Sequence, residues 1–250
     1  MALETAVGID YDYRMFVGAA LLLVGGGIFT RLMYVRVRLM LAGQPEKRWD
    51  LVAQRAMRLM KIGVGQKTMF KEPVAGLLHA LTFWGFCILS VRTTMLFIGA
   101  FVPDLALPSP LHGIYDFTKD ITEVIVIVAI AGFFYRRLVS KPARIHYSIE
   151  ALVILGFIGT LMVSDLLYDG LHFGGLAKAG DSGALAAIAG APIGSFLAGI
   201  FVASDVDAAT LQWLGEGSYW LHLIIIMVFM NLLPISKHFH VITALFNVFL

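Results

Sequence analysis

The sequence predicts an all-α membrane protein, built as a bundle of five transmembrane helices. Of its 250 residues, 59% are hydrophobic and only 14% are charged, and the mean hydropathy is +0.83. The apolar residues come in runs close to the ~20 residues that a helix needs to cross ~30 Å of hydrocarbon. Soluble domains carry about a quarter charged residues. The composition therefore excludes a water-soluble enzyme and a nucleic-acid-binding protein.

The predicted spans are residues 13–35, 73–100, 114–138, 148–170 and 217–236. Between the fourth and fifth spans, residues 171–216 are predicted to form an insertion on the outer side. This insertion contains an apolar run at 184–203, which is interrupted by Pro192 and flanked by aspartates. A re-entrant or interfacial segment is favoured there. The alternative, a further span, would put the carboxyl terminus outside. Residues 1–250 are predicted to form a single membrane domain.

The charge of the loops predicts the orientation of the chain. The loop at 36–71 carries nine Lys and Arg residues against two acidic residues, so the positive-inside rule places it in the cytoplasm. A second basic stretch, from Arg136 to Arg144, follows the third span and falls on the same side. The amino terminus is then outside and the carboxyl terminus is in the cytoplasm. We expect the loop at 36–71 to form one or two amphipathic helices on the membrane surface.

Three histidines are predicted at or near membrane depth: His79 in the second span, His222 in the fifth span, and His240 just beyond it. Ionisable side chains inside a bilayer are costly and are candidates for function. His222 and His240 are eighteen residues apart, five turns of a continuous helix, so both would face one neighbouring helix at two depths. That arrangement suits axial ligands of stacked haems. The alternative is that each imidazole hydrogen-bonds a backbone carbonyl or another helix. Small residues near His79 would let a flat porphyrin approach: Gly76, Ala80 and Gly85.

Charged side chains form a second group, predicted near the outer boundary of the membrane. We expect Arg92 of the second span to pair with a carboxylate in the first turns of the third span, and Asp165 to lie in the same layer. Alternatively, a cation of this layer contacts a haem propionate or, for Lys119, a quinone carbonyl. A polar cluster with snorkelling side chains is the structural alternative. The candidates for contact with a quinone or a propionate are Arg92, Lys119, Asp120 and Glu123.

Several short motifs of this chain resemble the membrane cytochrome b domain of the nitrate reductase gamma subunit superfamily. The nearest members are the membrane iron–sulfur oxidoreductases related to heterodisulfide reductase, including those that link electron-transfer flavoprotein to menaquinone. The resemblance covers most of the chain and is weakest in 171–216. The motifs are Gly65-Gln66-Lys67, Lys71-Glu72-Pro73, Gly76-Leu77-Leu78-His79, Phe83-Trp84-Gly85-Phe86, Trp220-Leu221-His222 and Pro234-Ile235-Ser236-Lys237 through His240.

This resemblance implies a five-helix b-type cytochrome with His79, His222 and His240 as axial ligands of one or two b haems. The family pattern couples His79 with His240. His222 would then serve a second haem whose other ligand is His172, His112 or a residue of another type, unless only one haem is present. Two histidine ligands leave no axial position open, so such a haem transfers electrons and does not activate oxygen.

The resemblance also implies the partners and the location. Electrons would pass between a quinone, menaquinone by family, and a cytoplasmic iron–sulfur subunit or domain, or an electron-transfer flavoprotein. The only cysteine of the chain, Cys87, cannot hold a cluster, which takes about four thiolates. The expected location is the cytoplasmic (inner) membrane of a prokaryote, with several passes. A different function class, a cofactor-free transporter or scaffold with buried charges lining a proton or substrate path, is the alternative.

Overall fold

The computed structural model describes residues 13–44, 49–102, 107–143 and 148–250, and within these ranges it contains helices and connecting turns but no strand. An all-helical fold is therefore confirmed for the part that is described. Some sequence-based expectations fall on residues outside these ranges: the first twelve residues, part of the loop before Pro110, and the basic residues Lys47, Arg48 and Arg144.

Nine α-helices are present in the described ranges. They are α1 (Tyr13–Leu41), α2 (Val52–Arg58), α3 (Pro73–Gly99), α4 (Leu111–Tyr135), α5 (Ile149–Lys178), α6 (Ala184–Ala187), α7 (Pro192–Ala203), α8 (Ala208–Leu232) and α9 (His240–Phe249). Short π or 3₁₀ segments extend or link them at Leu59–Val64, Met69–Lys71, Arg136–Ser140, Leu233–Ile235 and Lys237–Phe239.

In the part of the chain that the structure describes, four helices are long and apolar enough to cross a membrane: α1, α3, α5, and α8 with the 3₁₀ turn that extends it to Ile235. The five predicted spans are thus not all confirmed. The third predicted span forms α4, which has 25 residues and a length of about 37 Å. Its first half carries four charged residues, so its composition differs from that of the other four helices.

The insertion at 171–216 is helical. Helix α5 continues to Lys178, eight residues beyond the predicted end of the fourth span. The apolar run at 184–203 forms the single turn α6 and then α7, which begins at Pro192 and has 12 residues. At 1.5 Å per residue α7 is about 18 Å long, too short to cross ~30 Å of hydrocarbon.

Small residues allow α7 to pack closely against α5. A Cβ on Gly170 would lie 2.6 Å from the Cβ of Leu197, and a Cβ on Gly174 would lie 3.1 Å from the carbonyl oxygen of Ala198. Ala198 is itself completely buried. Small residues four apart on each helix let two backbones approach, as in helix pairs inside membranes.

We expect Gly170→Ala to lower the free energy of unfolding by about 1–3 kcal/mol, because the added methyl group overlaps the side chain of Leu197. Thermal unfolding of the purified protein in detergent, followed by circular dichroism, measures the change. The matched control is Gly199→Ala on α7, where a Cβ meets nothing within 4 Å. Equal melting temperatures for the two variants would contradict this packing.

Both ends of α7 interact with side chains of other helices. At its amino end, the backbone N–H groups of Ile193 and Gly194 donate to the carboxylate of Asp120 on α4. Beyond its carboxyl end, Lys178 of α5 donates to the carbonyl oxygens of Ser204 and Val206. These contacts place opposite charges at the two ends of the helix dipole.

The chain divides into two compact units. Among the described residues, the first unit combines residues 13–19 with those of 81–226, and the second combines those of 20–80 with residues 227–250. A buried apolar cluster in the first unit joins α3, α4 and α5, with Leu89, Val126 and Leu155 among its members.

In the second unit, part of the loop predicted at 36–71 forms α2 and the π segment that follows it. They contact α9: Leu245 lies 3.0 Å from the position of a Cβ on Gly63, and Arg55 donates to the carbonyl of Phe249.

Candidate functional site

Five charged side chains from three helices meet inside the first unit. We call them the charged cluster: Arg92 of α3, Lys119 and Glu123 of α4, and Asp165 and Asp169 of α5. The relative exposure is 1% for Lys119, 0% for Glu123 and 2% for Asp165. Charges are this deeply buried only when they are paired or neutralised, so the cluster is the strongest candidate site of the unit.

Arg92 and Lys119 are both held by the carboxylates of α5. Arg92 Nε lies 3.0 Å from Asp165 Oδ1, and the other arm of the guanidinium contacts Asp169 Oδ1. Lys119 Nζ lies 2.6 Å from the second oxygen of Asp169. Asp169 therefore bridges the two cations.

The partner of Arg92 differs from the sequence-based expectation. A carboxylate of the third span was expected, but both partners of Arg92 lie on α5. Asp165 and Asp169 are four residues apart, so they share one helix face and reach the two sides of the guanidinium fork. Asp169 was missed, although its spacing from Asp165 was a signal available in the sequence.

Asp120 lies beside the cluster but has a separate role. It is fully buried, 4.0 Å from Lys119 Nζ, and its carboxylate accepts the backbone N–H groups at the start of α7. A carboxylate at a helix amino terminus is stabilised by the free N–H groups and the helix dipole. The structure thus gives Asp120 a role in positioning the insertion.

His222 lies next to the charged cluster and its two ring nitrogens both have protein partners. Nε2 is 3.2 Å from Thr93 Oγ1, and Nδ1 is 3.2 Å from the carbonyl of Leu161 and 3.4 Å from Ser164 Oγ. The side chain is 3% exposed. An axial ligand needs one ring nitrogen directed at the iron, so His222 does not fit a haem in this structure.

His222 and His240 do not share one helix face. The predicted common face requires one continuous helix that includes both residues. Helix α8 ends at Leu232, and two 3₁₀ turns separated by extended backbone at Ser236 precede α9. Pro234, which cannot donate a backbone hydrogen bond, lies within the first of these turns.

His79 and His240 both belong to the second unit, and the charge of one imidazole acts on the other. His240 Nδ1 is 3.2 Å from the carbonyl of Lys237, a contact that leaves Nε2 for another ligand. His79 Nδ1 is buried and has no hydrogen-bond partner among the described residues. Each of these two histidines, unlike His222, thus has a ring nitrogen to which the structure assigns no hydrogen-bond partner.

The two glycines near His79 do not provide open space. A Cβ on Gly76 would lie 2.4 Å from the backbone oxygen of Met69, and one on Gly85 would lie 2.3 Å from Val126 Cγ2. Both positions are filled by other parts of the chain. In this structure the small size of both glycines serves backbone and helix packing, and their contact with a porphyrin stays a prediction.

The two other histidines that the resemblance offers as haem ligands lie in different surroundings. His172 stacks on Tyr168 with ring centroids 5.3 Å apart, and His112 Nδ1 lies 3.1 Å from Asp116 of the same helix. Within the residues that the structure describes, no group of three or more His, Cys, Asp or Glu side chains could hold a metal ion.

The first unit contains a second buried ion pair, between Arg14 and Glu216, which the sequence analysis does not predict. The carboxylate of Glu216 on α8 accepts from Tyr13, from Trp220 at 2.9 Å, and from Arg14, whose Nε lies 2.9 Å away. Glu216 is 4% exposed. Glu216 is the one acidic residue in the apolar segment that forms α8, and this feature of the sequence could have indicated a buried ion pair.

Comparison with known proteins finds two relatives among oxidoreductases. The chain is 28% identical over 225 residues to the protein named "Probable iron-sulfur-binding oxidoreductase FadF" of Bacillus subtilis, an alignment that covers 88% of this chain and 29% of that protein. It is 23% identical over 244 residues to the "EtfAB:quinone oxidoreductase" of Syntrophomonas wolfei, covering 96% of this chain and 33% of that protein. The chain therefore spans about a third of the length of the curated relatives it matches.

These relatives are bacterial and are oxidoreductases by name, which is consistent with a membrane part of such a protein. No family model matches the chain, so its resemblance to the nitrate reductase gamma subunit depends on the sequence motifs alone. No solved structure matches it either.

Proposed function

We propose that this chain is the membrane subunit or domain of an oxidoreductase that transfers electrons between a quinone and an iron–sulfur or flavin partner. The observation that carries the proposal is similarity, along 88–96% of the chain, to one oxidoreductase named for iron–sulfur and another named for a quinone. The partner is an iron–sulfur subunit or domain, or an electron-transfer flavoprotein. The quinone is menaquinone.

We assign the quinone contact to the charged cluster. Its three carboxyl groups outnumber its two cations, and both cations already contact the carboxylates of α5. This balance disfavours an anionic haem propionate, whereas a quinone carbonyl accepts a hydrogen bond without adding charge. The side chain of Arg92 is 17% exposed and that of Lys119 only 1%, so Arg92 is the donor that a quinone can reach.

We assign one b haem to His79 and His240. Nδ1 of His240 can donate to the carbonyl of Lys237, which would fix the orientation of the ring and direct Nε2 away from that backbone. The haem, when bound, supplies a carrier for single electrons between the quinone and the partner. Both ring nitrogens of His222 have hydrogen-bond partners, so a second haem would need a different ligand.

We further propose that α4 is a fifth span in a bundle of the gamma-subunit type. Its charges are compatible with this, because Lys119, Asp120 and Glu123 are buried within the protein. Its exposed residues include Phe117 and Val128, which suit contact with lipid. The positive-inside rule then gives an outer amino terminus and a cytoplasmic carboxyl terminus in the bacterial cytoplasmic membrane.

The proposal is tested with the full chain purified into lipid nanodiscs. We expect the dithionite-reduced protein to show a b-type absorption spectrum and a pyridine haemochrome, and a short-chain naphthoquinone to bind at saturable stoichiometry. A folded preparation that is colourless and binds no naphthoquinone would contradict the proposal and favour the cofactor-free transporter or scaffold. Haem without naphthoquinone binding would refute the quinone assignment.

A further inference from the structure

The carboxyl group of Glu123 has an unusual environment within the charged cluster. It is completely buried near the middle of α4. No nitrogen or hydroxyl donor of the described residues lies within hydrogen-bond distance of either oxygen, and Lys119 Nζ is 3.6 Å from Oε1. A carboxylate buried without donors is strongly disfavoured, whereas a neutral carboxylic acid costs far less.

Another carboxyl group of the charged cluster, that of Asp165, acts electrostatically on Glu123. Two ionised carboxylates that face each other in a buried site repel, so one of them favours the protonated form. Asp165 accepts from Arg92 Nε at 3.0 Å and is thereby held ionised. The proton therefore belongs to Glu123, whose two oxygens have no donor among the described residues.

The charges that face Glu123 from the other helices lead to the same assignment. Arg92 and Lys119 are balanced by the carboxylates of Asp165 and Asp169. Asp120 on α4 is compensated by the amino terminus of α7, and His222 on α8 is held by hydrogen bonds to neutral groups. A negative charge on Glu123 would have only Lys119 as a counter-charge, 3.6 Å away and already paired with Asp169 at 2.6 Å.

We propose that Glu123 and Asp165 form a buried proton-binding site in which Glu123 holds one exchangeable proton. The use of this proton rests on the function proposed above. A quinone bound at Arg92 takes up two electrons from the redox partner and two protons to become the quinol. Glu123 gives one proton and is reprotonated from water, and the second proton comes from water directly.

Infrared spectroscopy of the purified full chain tests the site without any quinone. We expect the wild type to show the carbonyl stretch of a buried protonated carboxylic acid, and Glu123→Gln to lose it. The matched control is Glu216→Gln, which removes a buried glutamate whose carboxylate, unlike that of Glu123, accepts from Arg14, Tyr13 and Trp220. This control should retain the band. A band that persists in Glu123→Gln would overturn the proposal.

Isotope labelling covers the case in which Glu123→Gln fails to fold. In the wild-type protein, ¹³C in glutamate carboxyl groups should shift the band, and ¹³C in aspartate carboxyl groups should leave it unchanged. The reverse result would overturn the assignment to Glu123. A band that changes when Na⁺ is replaced by K⁺ would indicate a metal-ion site and would also overturn it.

The infrared result and naphthoquinone binding are independent measurements. A normal band with no naphthoquinone binding would refute the quinone function and leave the proton site standing. Naphthoquinone binding with no band of a protonated acid would refute the proton site alone.

Discussion

Replacing Arg92 with alanine is expected to lower the free energy of unfolding by about 3–5 kcal/mol, the range for removing one partner of a buried ion pair. The substitution leaves Asp165 and Asp169 without the guanidinium that holds both of them. Lysine at this position should restore only part of the stability, because a single ammonium group cannot form the same two-armed contact. Reversible unfolding of the purified protein in mixed micelles gives the free energies.

Two comparisons make this expectation specific. Arg58→Ala removes an exposed arginine of α2 and should change stability by less than about 0.5 kcal/mol. The double variant Arg92→Met, Asp165→Asn should be more stable than Arg92→Ala, since it removes a charge from each side of the pair. Additive losses in the double variant would show that Arg92 and Asp165 are not coupled.

The second large effect is expected on haem content. His79→Ala and His240→Ala should each abolish the reduced b-type spectrum, because each would remove one axial ligand of the proposed haem. His222→Ala should retain that spectrum, since its ring nitrogens contact Thr93, Leu161 and Ser164. Haem per protein, measured as the pyridine haemochrome on folded protein, is the readout.

The matched control is His112→Ala, which removes a histidine whose side chain is 40% exposed. It should leave the haem content unchanged. Complete loss of haem in His222→Ala, with the protein still folded, would restore the three-ligand set that the sequence motifs imply. Retention in His79→Ala would exclude His79 as a ligand.

The sequence predicts the helices of this protein better than their contacts. Apolar runs locate α1, α3, α5 and α8 because burial in lipid requires about twenty such residues in each. It also predicts that α4 is helical and that charges meet near Arg92. It does not predict which helix supplies the partners of Arg92, since that depends on how α3, α4 and α5 are arranged around one another.

The histidines show a second limit. The spacing of His222 and His240 has a meaning only inside one unbroken helix, and the chain leaves the α-helical conformation after Leu232. Pro234 marks this break in the sequence. The role of Asp120 was equally hidden, because its partner is the backbone of α7 and backbone groups have no sequence signature.

The contacts at the ends of α7 give the insertion a direction. Asp120 meets its positive pole, and Lys178 meets the carbonyl oxygens just beyond its negative pole. If the segment were inserted the other way round, each pole would face a like charge. A slip of one turn, 5.4 Å along the axis, would release both contacts together. The two side chains thus favour the orientation and register in which the segment packs against α5.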